Sequence, residues 1–106
     1  MMKIENSQVA LAGKVYEKTG SLVTRRIAGE LILVPISGDL ANLQRIFTLT
    51  PVAEFIWERL DKKRDLIGIR DDVVARFDVE SSQADADIFA FIEKLINARL
   101  IKEVEK

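Results

Sequence analysis

The chain changes its hydrophobic period at Thr50-Pro51, and that switch limits the possible folds more than any other feature of its 106 residues. Before it, Ile46-Phe47-Thr48-Leu49 alternates as a half-buried strand does. After it, Ala53, Ile56, Trp57 and Leu60 fall at i, i+3, i+4 and i+7, which is one apolar stripe of a helix. Thr50 suits the N-cap, where its hydroxyl can accept a free backbone N–H of the first turn. Pro51 suits the first helical position, where its missing N–H costs nothing. The chain before the switch reads as strand or arm, and the chain after it reads as helix until the last few residues. The expected architecture is α+β and winged-helix-like: a three-stranded antiparallel sheet followed by a three-helix bundle, with the core at the junction.

The strands come first. Residues 1–19 are expected to form an N-terminal arm preceding a domain over 20–106. The island Val9-Ala10-Leu11-Ala12 fits a short strand, a helical turn or a segment docked on a partner. Leu22 to Ile36 reads as a hairpin turning at Ala28-Gly29, where glycine can take a positive φ. Arg25-Arg26 puts charge on its first strand, and Pro35 marks a strand end or edge. Ser37-Gly38-Asp39 is loop-like, Leu40 to Leu43 fits one helical turn, and Gln44 to Leu49 forms the third strand.

Three helices come next. The first runs from about Pro51 to Leu60. Asp61-Lys62-Lys63-Arg64 reads as a polar break, and Asp65 as the N-cap of a second helix with Ile69, Val73, Val74 and Phe77 inside. Ser81 or Ser82 is expected to cap the third helix, whose core stripe is Ala84, Ile88, Phe91, Ile92 and Leu95. Leu100 to Val104 reads as a final extended segment. Trp57 is expected to be buried against the third helix.

Composition narrows the function. The chain has no cysteine, so disulfides and thiolate metal sites are excluded, and no histidine, the commonest general base and metal ligand. There is no Gly-rich phosphate loop, and the acid pairs Asp71-Asp72 and Asp85-x-Asp87 diverge on a helix surface. An enzyme is not expected, nor any cofactor. A net charge of −1 gives no general reason to bind nucleic acid. The alternative of a winged-helix DNA-binding regulator meets a specific difficulty. Its reading helix would carry Asp85, Asp87 and Glu93 against Lys94 and Arg99, which repels phosphate. No apolar run is long enough to span a bilayer, and the first residues lack a secretion signal, so a cytoplasmic location is expected.

The third helix carries more apolar surface than one core contact requires. Phe89 and Ile96 lie about 100° from the centre of its core stripe, and Ile92 joins them to it. A neighbouring helix or the N-terminal arm would account for that. So would a groove for an apolar partner. If the third strand is a sheet edge, its free N–H and C=O groups could take an added peptide strand beside this helix.

The order and spacing of these motifs resemble the PqqD family. The resemblance rests on Val23-Thr24-Arg25-Arg26-Ile27-Ala28-Gly29-Glu30-Leu31-Ile32-Leu33-Val34, on Leu49-Thr50, and on Ala53-x-x-Ile56-Trp57-x-x-Leu60-Asp61. It continues through Ile69-x-x-x-Val73-x-x-x-Phe77-Asp78-Val79 and Asp87-Ile88-x-x-Phe91-Ile92-x-x-Leu95 to Leu100-Ile101. It implies a recognition element for ribosomally made precursor peptides, which binds a leader peptide and presents it to a modifying enzyme, commonly a radical SAM protein. The family serves pyrroloquinoline quinone biosynthesis and other peptide pathways. Carried over by position, the peptide adds to Gln44, Arg45, Ile46, Phe47, Thr48 and Leu49 and lies against Phe89, Ile92, Glu93 and Ile96. The implied partners are the precursor peptide and the enzyme, with no nucleic acid and no membrane, and the protein is expected to be a monomer or weak homodimer. Two positions depart from the family, which usually has glycine where Lys62 and Arg99 stand. Arg99 is expected to keep the left-handed helix ending that glycine would favour.

Overall fold

The computed structural model describes residues 13–19, 22–36 and 46–104. In chain order the elements are β1 (Val15–Lys18), β2 (Leu22–Ile27), β3 (Glu30–Pro35), β4 (Phe47–Leu49), α1 (Pro51–Glu58), β5 (Asp61–Asp65), α2 (Leu66–Phe77), α3 (Ser81–Asn97) and β6 (Ile101–Glu103). The α+β class and the sheet-then-helices order hold. The sheet is not alone, however: two three-stranded antiparallel sheets form, ordered β2-β3-β4 and β5-β1-β6.

The first sheet follows from its turn. Ala28 at φ 52° and Gly29 at φ 83° are both left-handed, as a two-residue hairpin requires. The strands then pair in register from Ile27↔Glu30 to Leu22↔Pro35, and β4 pairs β3 from Leu31↔Leu49 to Leu33↔Phe47. Leu33 and Leu49 enter the core, and Leu31 and Phe47 pack against it half-buried.

The second sheet is where sequence reasoning fell short. Val15 and Tyr16 are buried in its central strand, so residues 15–18 belong to the folded body rather than to an arm. Val9–Ala12 and Ser37–Leu43 lie outside the described residues. The Asp61-Lys62-Lys63-Arg64 stretch is a strand, not a break. Polarity hid it, because its partner demands only backbone hydrogen bonds and its charges are matched nearby. Lys62 lies 3.7 Å from Glu17, and Arg64 lies 2.6 Å from Asp61. The β1–β5 ladder is irregular: Val15 opposes Asp65 and Glu17 opposes Asp61, so β5 carries the extra residues. Lys62, at φ 66°, sits within that irregularity.

The helices cap as their residue types dictate, with one exception. Thr50 Oγ1 accepts from Ala53 N at 3.1 Å, and Asp65 Oδ1 accepts from Gly68 N at 2.9 Å. At α3 the N-cap is Glu80, without a side-chain cap bond, and Ser81 is the first helical residue. Ile56, Trp57 and Leu60 fill the core from α1 and its end, and the five expected α3 residues are all buried. On α2, Leu66, Ile69 and Val73 are buried, while Val74 and Phe77 are half-buried. Arg70 is buried there too, bonded to Asp71 at 2.9 Å and Asp85 at 3.2 Å, which ties α2 to α3.

The α3 ending explains Arg99. Leu100 N donates to Leu95 O at 3.0 Å and Arg99 N to Ile96 O at 2.9 Å, the paired bonds of a Schellman ending. Arg99 holds φ 63°, and Leu95 and Leu100, which the motif brings together, are both fully buried. The chain therefore keeps the backbone that glycine would favour at both departures, Lys62 and Arg99, with non-glycine residues.

Candidate functional site

β4 is an edge strand, paired only with β3 among the described residues. The direction of its free groups follows from the hairpin. In a two-residue hairpin the pair flanking the turn exchanges both backbone bonds, and every second pair beyond it does the same. Ile27↔Glu30, Arg25↔Ile32 and Val23↔Val34 are therefore the bonded pairs of β2–β3. Leu31 and Leu33 turn their backbone groups to the other side, toward Leu49 and Phe47. Thr48, between them, directs its N–H and C=O away from the sheet. That is one donor and one acceptor placed for an incoming strand.

A groove of about 670 Å³ runs beside this edge. Ile46, Phe47, Thr48 and Leu49 line one side, and Val52, Ala53 and Ile56 of α1 close one part of it. The α3 side is Asp87, Ala90, Phe91 and Lys94. These four are spaced i, i+3, i+4 and i+7, so they form a single helical stripe. Phe91 supplies an aromatic surface, and the small Ala90 beside it leaves space. Asp87 and Lys94 stand about 10 Å apart along the axis, one turn on either side of this apolar centre. Asp87 accepts from Gln83 Nε2 at 3.0 Å, and neither Asp87 nor Lys94 has an ion-pair partner among the described residues. The groove thus offers backbone pairing on one wall, apolar contact in the middle and opposite charges toward its two ends.

The structure brings together only part of the set expected from sequence. Ile46, Phe47, Thr48 and Leu49 line the groove. Gln44 and Arg45 lie outside the described residues. Phe89, Ile92, Glu93 and Ile96 lie about half a turn around α3 from the Asp87–Lys94 stripe, and none of them lines the groove. Ile92 is core, Phe89 packs half-buried against it, and Glu93 and Ile96 are exposed. The expected helix residues follow surplus apolar surface, whereas the α3 residues that line the groove are one core aromatic, one alanine and two charges.

A second cleft of about 570 Å³ lies between α2 and α3, beside the Arg70–Asp85 pair. Its central cation is already matched by two carboxylates, and it is lined by residues of α2 and α3 rather than by the open edge. No group of three or more potential metal ligands occurs among the described residues. No helix there is long and apolar enough to cross a membrane.

Against known families, the model for coenzyme PQQ synthesis protein D (PqqD) matches residues 30–101, well over half of the chain. The chain belongs to the PqqD family. The matched span begins at the first residue of β3 and takes in β4, all three helices and the start of β6. It therefore contains both walls of the groove. Among solved structures, the chain is similar to TbiB1 in complex with the TbiA(beta) leader peptide, with a TM-score of 0.66 at 21% identity. That likeness covers 85% of this chain and 99% of the other, and it establishes a shared fold. Comparison with curated protein sequences finds no match.

Proposed function

We propose that this PqqD-family protein is a non-catalytic module that captures the leader segment of a ribosomally made precursor peptide and delivers it to a modifying enzyme of the radical SAM class. The observation that carries this reading is the open edge of β4 beside an apolar groove. An extended peptide pairs with Thr48 and makes the three-stranded sheet four-stranded. Backbone bonds supply affinity, and alternate side chains entering the groove against Phe91, Ile56 and Val52 supply selectivity. Family membership supports the reading, as does the likeness to TbiB1, a protein solved with a leader peptide. The reading needs no particular product: pyrroloquinoline quinone is one setting, and any pathway that begins from a ribosomal precursor is compatible.

The test is a titration of isotopically labelled protein with the leader peptide of the precursor encoded beside its gene. Amide signals of Phe47–Leu49 and of the Asp87–Lys94 stretch are expected to move together. If both stretches stay still while the peptide is in excess, the reading fails. A radical SAM gene in the same neighbourhood tests the enzyme separately from the peptide.

A further inference from the structure

The β4 edge fixes which side chains of an added strand enter the groove. Directly paired residues of a sheet share a face, whichever way the added strand runs. Thr48 stands on the outer face of β2-β3-β4, in register with Ile32 and Arg25. Its neighbours Phe47 and Leu49 face inward and line the groove. A peptide residue paired with Thr48 therefore points outward as well. The residues on either side of it point into the groove, and so does every second residue beyond them.

That inward face of the peptide meets an ordered set of groups on α3. Phe91 and Ala90 form an apolar centre, with Asp87 one turn before it and Lys94 one turn after. These two are the only charged side chains that line the groove among the described residues, and neither has an ion-pair partner there. Gln83 Nε2 donates to Oδ1 of Asp87 at 3.0 Å, which orients the carboxylate and leaves Oδ2 to receive a cation. Asp87 is half-buried, so a charge paired with it is screened less than in open water. Lys94 is exposed, on a flexible stem that can turn toward the groove.

Spacing selects a pattern. Asp87 and Lys94 stand about 10 Å apart along α3. In an extended peptide, inward residues two positions apart are separated by about 7 Å, and those four apart by about 13 Å. Charges two apart leave no inward side chain between them for Phe91. Charges four apart place one there, and the surplus of about 3 Å is within reach of a lysine or arginine stem. We infer that the groove selects an extended segment whose basic and acidic residues stand four positions apart with an apolar residue midway. The basic residue meets Asp87, the apolar one Phe91 and the acidic one Lys94. This rests on the peptide reading above and adds a charge order to it: the same segment with its two charges exchanged sets like charges together at both ends.

Selection of a displayed library of random peptides on the full chain tests this. Peptides that bind the wild type should share the pattern with the charges in one order, and that order reports the direction in which the strand adds. Selection on Asp87→Lys with Lys94→Asp, which keeps the net charge, should return the opposite order. On the wild type, exchanging the two charges of one selected peptide should weaken binding about tenfold or more, a comparison that needs no protein variant to fold. Amide shifts at Phe47–Leu49 on adding that peptide check strand addition separately. Peptides that move these amides but lack the charge pair, or that bind the double variant in the unchanged order, overturn the inference and leave the peptide reading standing. If no peptide is selected, or the β4 amides stay still, both fall.

Discussion

Thr48→Pro isolates the groups that the peptide reading depends on. The hairpin register turns the Thr48 N–H outward, so proline removes a donor that no intramolecular partner uses. Proline is tolerated on edge strands in that orientation, and its preference for an extended preceding residue suits Phe47, which is already in β4. Phe47 and Leu49 still carry the ladder to β3, so the fold should lose no more than about 1 kcal/mol. Binding is another matter. A peptide carbonyl that meets the edge without a donor is left unsatisfied, which costs about 1–3 kcal/mol. That corresponds to a roughly 5- to 150-fold loss of affinity. Thr48→Val keeps the N–H and should bind nearly as the wild type does. Isothermal titration with the leader peptide measures affinity, and chemical denaturation measures the fold. Wild-type affinity in Thr48→Pro would refute strand addition at β4. Global unfolding of Thr48→Pro would refute the register, because it would mean that the Thr48 N–H holds the sheet together.

Trp57 is buried at 5% exposure, with Lys18 Nζ 5.0 Å from its ring centroid, and Trp57→Ala should cost about 3–5 kcal/mol in a denaturant titration. Against a total of about 5–15 kcal/mol, that variant stands near unfolding. Arg99 and Lys62 hold left-handed backbone, and glycine at either position should raise stability by up to about 1 kcal/mol, relief of strain being partly offset by a freer unfolded chain. Burial pushes the Asp61 carboxyl up, but the Lys63 amide and the Arg64 guanidinium outweigh it and hold the group below the usual carboxylate range. Its contribution is thus present above the ordinary carboxylate pKa and lost as pH falls through the lowered one. Asp61→Asn should lose up to about 1 kcal/mol at neutral pH and show a smaller drop in stability on acidification.

Much of the fold was legible because local chemistry and tertiary structure agree. Thr50-Pro51, Asp65 and Ala28-Gly29 each mark a boundary by a mechanism that acts within a few residues, and each boundary stands where that mechanism puts it. The second sheet was illegible for the opposite reason. Its strands pair across 40 or more residues, as Val15 does with Asp65, and β5 is polar. Neither an apolar period nor a turn signal announces such a strand. Arg70 was missed likewise, since an arginine on an apolar stripe breaks the pattern unless its partner, Asp85 on another helix, is known. Beside the groove, the strand itself was legible from its alternation, while its position at the sheet edge was not, because that depends on which strand it pairs with. Which stripe of α3 faces β4 is set by how α3 docks, and hydrophobic surplus at Phe89 and Ile96 does not encode docking.

An open edge beside an apolar groove is a liability, since any chain with free backbone groups could extend the sheet. The features that limit this here also define what the edge can accept. β4 is three residues long, so its outward ladder centres on the single residue Thr48. Beyond its end the ladder cannot continue. The Thr50 carbonyl already accepts from Glu54 N at 2.8 Å, and Pro51 has no N–H to offer. Two copies pairing edge to edge through β4 would gain little from so short a ladder. The Thr50-Pro51 switch that ends the strand and starts α1 therefore has a second consequence. If a peptide adds as proposed above, that switch would stop it at a fixed point and so pin the register in which its alternate side chains reach Phe91, between Asp87 and Lys94.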